Sequence, residues 1–286
     1  MTRNLLGIHA LVFAGGTSPA ELSATIEETR RAGYDLLEIS LHDSPAIDIP
    51  AARSALAEAR LGLVCSRGLS FDADVSSEDA AVAARGATAL FDSLRMTRAL
   101  GGTFLTGALY SALGKYPRPL SAAGRANAVA ALRDVAAEAR DAGLTLGLEA
   151  CNRYETNVVN TAADALRLAD AIGADNVCVH LDTYHMNIEE DSLGRAVRLA
   201  GDRLGYVHIG ENHRGYLGGG HIDFPEFFRA LADIGYAGPV VFESFSSAVL
   251  APALTQDLAI WRDLWADGPA LARHARAFLR SQLEAA

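Results

Sequence analysis

The ten residues RDAGLTLGLE, 140–149, hold the pattern from which the fold follows: the polar end of a helix, a glycine, a short apolar run and a terminal acid. Glycine in that place closes a helix in the left-handed conformation without a Cβ clash, and the chain leaves as a strand. The same order recurs on both sides. Upstream it reads RRAG33 before DLLEISL, ARLG62 before LVCS and RALG101 before GTFLTG; downstream, DAIG173 before NVCVHLD, DRLG205 before YVHIG and ADIG235 before GPVVFE. Seven helix-to-strand junctions and an N-terminal strand in MTRNLLGIHALVFAGG make eight strands.

Strands alternating with helices of this length imply right-handed crossovers and a parallel sheet, and eight such units close on themselves. The expected fold is α/β, a (β/α)8 TIM barrel forming one domain over residues 1–286, in keeping with barrels of ~250 residues. The competing open, doubly wound sheet requires a Gly-rich nucleotide turn after the first strand. LVFAGGTSPAE carries Gly15 and Gly16 but no GxGxxG.

Four polar side chains then fall one per strand: Glu149 in TLGLEA, Asp182 in VCVHLD, His208 in YVHIG and Glu243 in PVVFES. Each sits at or near the C-terminal end of its run, where barrels of this kind assemble active sites. Strand alternation puts Cys178, His180 and Asp182 on one face, and Tyr206, His208 and Gly210 on one face. If Asp182 and His208 face the axis, Glu149 and Glu243 join them at the mouth. Carboxylates at ~4 Å repel by about 4 kcal/mol per pair at an effective dielectric of ~20, so the cluster needs a cation. Three carboxylates with one imidazole suit one divalent ion per chain, Mn2+ foremost, with Mg2+ or Co2+ as alternatives.

The composition excludes other classes. Acids exceed bases by 35 to 25, a net charge of -10, which leaves no clustered Lys and Arg for a nucleic-acid surface. Lys115, in GKYPRP, is the sole lysine and lies off the strands, against a Schiff-base mechanism. Cys65, Cys151 and Cys178 form no CxxC pair, which points to a reduced, cytoplasmic protein. Asn4 and His9 interrupt the N-terminal apolar run, so it reads as a strand and not as a signal peptide. No stretch approaches the roughly 18 apolar residues of a membrane span.

The loops after the site strands supply donors and acceptors suited to a sugar: Arg153 and Glu155 after Glu149, His185 after Asp182, and Glu211, His213 and Arg214 after His208. His180 is expected to fill a barrel layer and Cys151 to be a small buried side chain. The loop GYLGGG, Gly215 to Gly220, follows strand seven, where barrels often bind phosphate. With Arg214 its one nearby cation, it reads as a mobile cover and not as a phosphate cradle. Tyr110, Tyr116 and Pro117, and Trp261 and Trp265, offer aromatic surface for an interface or ordinary core.

The segments EACNRYETNVVNTA, HLDTYHMNIEEDS, YVHIGENHRGYLGGGHIDF and GPVVFESFSS, followed by IWRDLWADG, resemble the ketose 3-epimerases that act on D-tagatose, D-allulose (psicose) and L-ribulose. The similarity runs over essentially the whole chain and implies a xylose-isomerase-like barrel. It implies that Glu149, Asp182, His208 and Glu243 bind the metal. It also implies that Glu155, His185 and Arg214 hold the ketose around O1, O2 and O3, and that the two metal-bound glutamates are the acid/base pair. A homodimer or homotetramer is implied too. On the first strand and loop this chain has His9 and Phe13 where the family often carries Tyr and Trp, which bears on the preferred sugar.

Epimerising C3 of a ketose removes a weakly acidic hydrogen beside the C2 carbonyl and returns it to the opposite face. One carboxylate per face can do this, each positioned proton transfer contributing roughly 10² to 10⁴. Glu149 and Glu243 flank Asp182 and His208 in strand order and fit that need. Other readings are an aldose-ketose isomerase, an epimerase of a phosphorylated ketose, an AP-endonuclease-like hydrolase and a non-catalytic sugar-binding protein. The hydrolase would need extra His ligands and a basic face; a binding protein would not require paired metal-bound glutamates.

Overall fold

The computed structural model describes residues 4–42 and 47–286; Met1–Arg3, at the head of the first apolar run, and 43–46 lie outside the described residues. Eight strands run β1 Leu6–His9, β2 Leu36–Ser40, β3 Gly62–Ser66, β4 Phe104–Gly107, β5 Thr145–Ala150, β6 Val177–Asp182, β7 Leu204–Ile209 and β8 Val240–Phe242. They pair in sequence order, all parallel, and β8 returns to β1 to close the barrel. Around it lie α1 Pro19–Ala32, α2 Ile49–Ala59, α3 Ala80–Leu100, α4 Ala122–Asp141, α5 Ala162–Ile172, α7 Leu193–Ala200, α8 Phe224–Asp233 and α10 Gly268–Ala285. Two short helices, α6 Thr183–Glu189 and α9 Pro252–Asp257, sit in the loops after β6 and β8.

Local sequence dictates where the helices start. Ser18 caps α1 and Glu21 reaches back to the Ser18 amide, while Thr161 and Asp164 form the same reciprocal box at α5. Such a cap stabilises a helix by about 1 kcal/mol. At the other ends, Gly33, Gly101, Gly143, Gly173 and Gly235 take positive φ, as the recurring glycine predicts.

Two of the seven junctions differ. At α2 the left-handed cap is Arg60, and Gly62 is already the first residue of β3. A Cβ there would lie 2.3 Å from Leu36 Cδ2, so a larger residue would have to turn that side chain aside. Likewise Gly205 lies inside β7, and α7 ends at Gly201 through a 3-10 turn. A Cβ at Gly205 would meet Cys178 Sγ at 2.4 Å.

Register brings the polar positions together. His9 lies beside Glu38, Glu149 beside His180, and Asp182 beside His208. Inside the barrel, Val64, Tyr206 and Val241 pack with Phe104 as an apolar layer. Above it, His180 is fully buried, its ring edge-on to Tyr206 at 4.8 Å and to His208 at 4.3 Å, with Nδ1 2.8 Å from Thr106 Oγ1. It fills a layer as expected. The barrel is thus a solid plug capped by ionisable groups, which places the chemistry at the mouth.

Candidate active site

Four side chains converge at that mouth. His208 Nδ1 lies 3.5 Å from Glu149 Oε1 and 3.5 Å from Glu243 Oε1, and it is a buried nitrogen with no hydrogen-bond partner. Asp182, His208 and Glu243 offer ligand atoms within 4.8 Å of one another, all buried. The unpartnered nitrogen ringed by carboxylate oxygens is the observation that fits a cation. An oxygen-rich set with one imidazole matches a hard or borderline divalent ion.

The electrostatics carry the same message. Burial pushes Glu149 above the usual carboxylate range, and the charges of Glu243 and Glu38 add to it. Burial likewise raises Asp182, with Arg214 opposing. Burial would also raise Glu243, yet His208 and Arg214 hold it down at about 2. His208, despite burial, is drawn well above the ordinary imidazole value by Glu38, Glu243 and Glu149. Without a cation the cluster therefore retains protons that a divalent ion must displace.

It follows that Mn2+ binding should release protons. The raised groups hold theirs toward neutral pH, so acid competes with the ion and affinity should fall roughly tenfold per pH unit for each proton expelled. Titration calorimetry at pH 8 and pH 6 checks this; a dissociation constant unchanged across that range would place the ion elsewhere.

Beside the cluster opens a cavity of about 340 Å³, lined by Glu149, Glu155, His185, His208, Arg214 and Glu243 among others. That is within the size range of small-ligand sites. His185 has a settled tautomer: its Nδ1 accepts from the Asn152 backbone N–H at 3.2 Å, so the proton is on Nε2. That Nε2–H lies 3.6 Å from both Glu149 Oε1 and Asp182 Oδ2, and burial keeps the ring neutral, well below its usual pKa. Glu155 accepts from Asn152 Nδ2 at 2.7 Å, and burial raises its carboxyl to about 7.

Arg214 is held in a strained backbone conformation by its surroundings. It is a non-glycine residue at φ 58, and its carbonyl accepts from Ser244 Oγ and from Trp265 Nε1. Its guanidinium lies 3.8 Å from the Tyr184 ring and 4.7 Å from the Phe245 ring, with Nη1 donating to Glu243 and Asp182. A strained arginine fixed from behind and stacked between aromatics is positioned for a ligand. Arg214→Ala and Glu155→Gln should weaken ketose binding, by roughly 1.5–3 kcal/mol for a charged hydrogen bond, while Mn2+ content stays near that of the parent. A KM measurement beside metal analysis tests this; equal loss of metal would contradict the assignment.

Not every loop residue comes to the site. Arg153 pairs with Glu189 at 2.7 Å and is largely exposed. The buried Glu211 turns toward the glycine-rich loop, accepting from the Gly218 amide at 2.9 Å and from Asn212. A Cβ at Gly220 would stand 2.0 Å from Asn212 Oδ1 and 2.4 Å from Glu211 Oε1, so a larger residue there would have to displace both side chains. The glycine-rich loop, expected to be a mobile cover, meets this internal carboxylate through its Gly218 amide. Tyr110 and Trp265 are buried core, the former donating to the Glu149 carbonyl at 2.5 Å, while Trp261 is exposed. Cys151 is buried at the pocket wall, as expected.

Sequence reasoning passed over Glu38, Asn152 and Tyr184. Glu38 had a signal: an acid in the middle of the apolar strand LLEIS must be buried, and a buried charge must be paired.

A family model described as xylose isomerase-like TIM barrel matches residues 26–282, which sets the class of barrel. The ketose 3-epimerase of Arthrobacter globiformis is 49% identical over 280 residues, covering 98% of this chain and 97% of that one. The L-ribulose 3-epimerase of Methylomonas sp. is 48% identical, covering 96% of each. A crystal structure of D-allulose 3-epimerase from Methylomonas sp. with D-allulose superposes with a TM-score of 0.96 at 47% identity, over 99% of this chain and 98% of that one. The chain belongs to the ketose 3-epimerase family and is an isomerase.

Proposed function

We propose that this chain epimerises free ketoses at C3, of the D-allulose/D-fructose, D-tagatose/D-sorbose and L-ribulose/L-xylulose type, with Glu149 and Glu243 as the acid/base pair. The observation that carries the reading is that these carboxylates reach the mouth from β5 and β8, on either side of His208, each with an oxygen 3.5 Å from Nδ1. A ketose seated between them meets one carboxyl on each face of C3. In one direction one of the two glutamates takes the proton from its face of C3 as base and the other, as acid, returns one to the opposite face. In the reverse direction their roles exchange. The His185 Nε2–H, the Arg214 guanidinium and Glu155 orient the sugar around O1 to O3.

Glu149, Asp182, His208 and Glu243 would hold one divalent ion, Mn2+ foremost, with Mg2+ or Co2+ as alternatives. When bound, it supplies Lewis-acid stabilisation of the negative charge that develops as C3 is deprotonated. The barrel, 1–286, acts as one domain. Among the described residues no helix is long and apolar enough to cross a membrane, and Cys65, Cys151 and Cys178 are unpaired, in keeping with a cytoplasmic enzyme. Exposed Phe71, Tyr154 and Trp261, all in loops at the mouth, suit a homodimer or homotetramer.

Against a phosphorylated substrate stands the loop after β7, where an amide that could cradle phosphate already serves Glu211. A panel of free and phosphorylated ketoses, assayed with Mn2+ by product identity, tests the proposal. Free ketoses should turn over to C3 epimers; turnover of phosphorylated ketoses alone would sink it.

A further inference from the structure

The carboxylate of Glu38 has no place in the chemistry so far, yet it is among the most buried charges in the chain, 1% exposed. It projects from β2, three strands from β7 around the ring, into the layer beneath the site. Its Oε2 lies 2.7 Å from His208 Nε2 and accepts from the Tyr206 hydroxyl, also at 2.7 Å. Its other oxygen has no hydrogen-bond partner and faces His9 Nε2 at 3.7 Å. His9 is itself fixed, since its Nδ1 accepts from the Leu11 amide, which leaves the proton on Nε2 toward Glu38. Donors therefore face this carboxylate from β1 and β7.

We infer that Glu38 is a positioning residue, whose carboxylate locks the His208 ring with its proton on Nε2 and its Nδ1 lone pair aimed at the cation. A carboxylate accepts only, so the nitrogen 2.7 Å away must be the donor, and in the ring that binds the ion the free electron pair is left on Nδ1, the nitrogen ringed by Glu149 and Glu243. The edge-on ring of His180 at 4.3 Å, itself tied to Thr106, prevents the imidazole from turning over. An imidazole held this way is a better and more directional ligand, because its orientation is set before the ion arrives. Tyr206 in turn holds the carboxylate oxygen in place.

This inference rests on the proposed metal site, and the test separates the two. Mn2+ titration of the apoenzyme should give a dissociation constant roughly 10-fold weaker in Glu38→Gln, which keeps an acceptor and loses the charge, and up to roughly 100-fold weaker in Glu38→Ala. Tyr206→Phe, which leaves the carboxylate but frees it, should weaken binding less than Glu38→Gln does. In the diamagnetic Mg2+-loaded parent, long-range proton–nitrogen NMR should find the His208 proton on Nε2. That readout needs no variant to fold. A proton on Nδ1, or a folded Glu38→Gln that binds Mn2+ as tightly as the parent, would overturn the role of Glu38 while leaving the metal site standing. If the parent takes up no Mn2+, or His208→Ala binds it unchanged, the metal site itself fails and Glu38 loses its role with it.

Discussion

Glu149→Gln and Glu243→Gln should each abolish net conversion of a ketose to its C3 epimer, with kcat falling by roughly 10² to 10⁴ or more. Inversion takes a proton from one face and delivers one to the other, and the two carboxyls reach the mouth from different strands, so neither can replace the other. The amide keeps the size and most hydrogen bonds of the side chain but cannot cycle a proton. Solvent exchange at C3 should survive in whichever variant keeps the base for the face presented, which distinguishes loss of one proton carrier from loss of the whole site. Near-normal epimer formation by either variant would remove that glutamate from the chemistry. Mn2+ content, measured alongside, separates loss of chemistry from loss of the ion.

The second large effect concerns stability. Asp182→Ala and His208→Ala should lose the thermal stabilisation that Mn2+ confers. An ion at about 100 times its dissociation constant stabilises the folded chain by about 2.7 kcal/mol, or roughly 5 °C in Tm for a domain of this size. The quantity to compare is the Tm difference with and without Mn2+, because either substitution also disturbs the metal-free cluster. Asp182 is buried against Arg214, and His208 against Glu38. An undiminished Mn2+-dependent rise in Tm in both variants would place the ion on other residues.

Much of this was legible in the sequence because it is periodic. The glycine after each helix and the apolar run after each glycine define the barrel. Strand alternation puts Glu149, Asp182, His208 and Glu243 on the inward face at the ends of their strands, and the structure brings these four side chains together at the mouth. What stayed hidden is what spacing does not encode. Gly62 and Gly205 look like helix caps but lie inside β3 and β7, where a Cβ would press on Leu36 and Cys178. Glu211 and Glu155 are both acids in loops that follow site strands, yet one turns to the glycine-rich loop and the other to the pocket. That difference arises from tertiary packing. Glu38 is separated from His208 by 170 positions, and only closure of the barrel makes them neighbours.

Ketose 3-epimerisation passes through an enediol spanning C2 and C3 and aldose-ketose isomerisation through one spanning C1 and C2, so they differ in the carbon that exchanges its proton: C3 for the first, C1 and C2 for the second. The most direct test is to incubate the Mn2+-loaded enzyme with D-allulose, D-tagatose or L-ribulose in D2O and identify both the product and the position of the label. If Glu149 and Glu243 exchange their protons with solvent, deuterium should enter at C3. A shielded proton relayed between them could keep C3 unlabelled, so the identity of the product decides. The product expected is the C3 epimer of the ketose supplied; an aldose carrying deuterium at C1 or C2 would contradict the account.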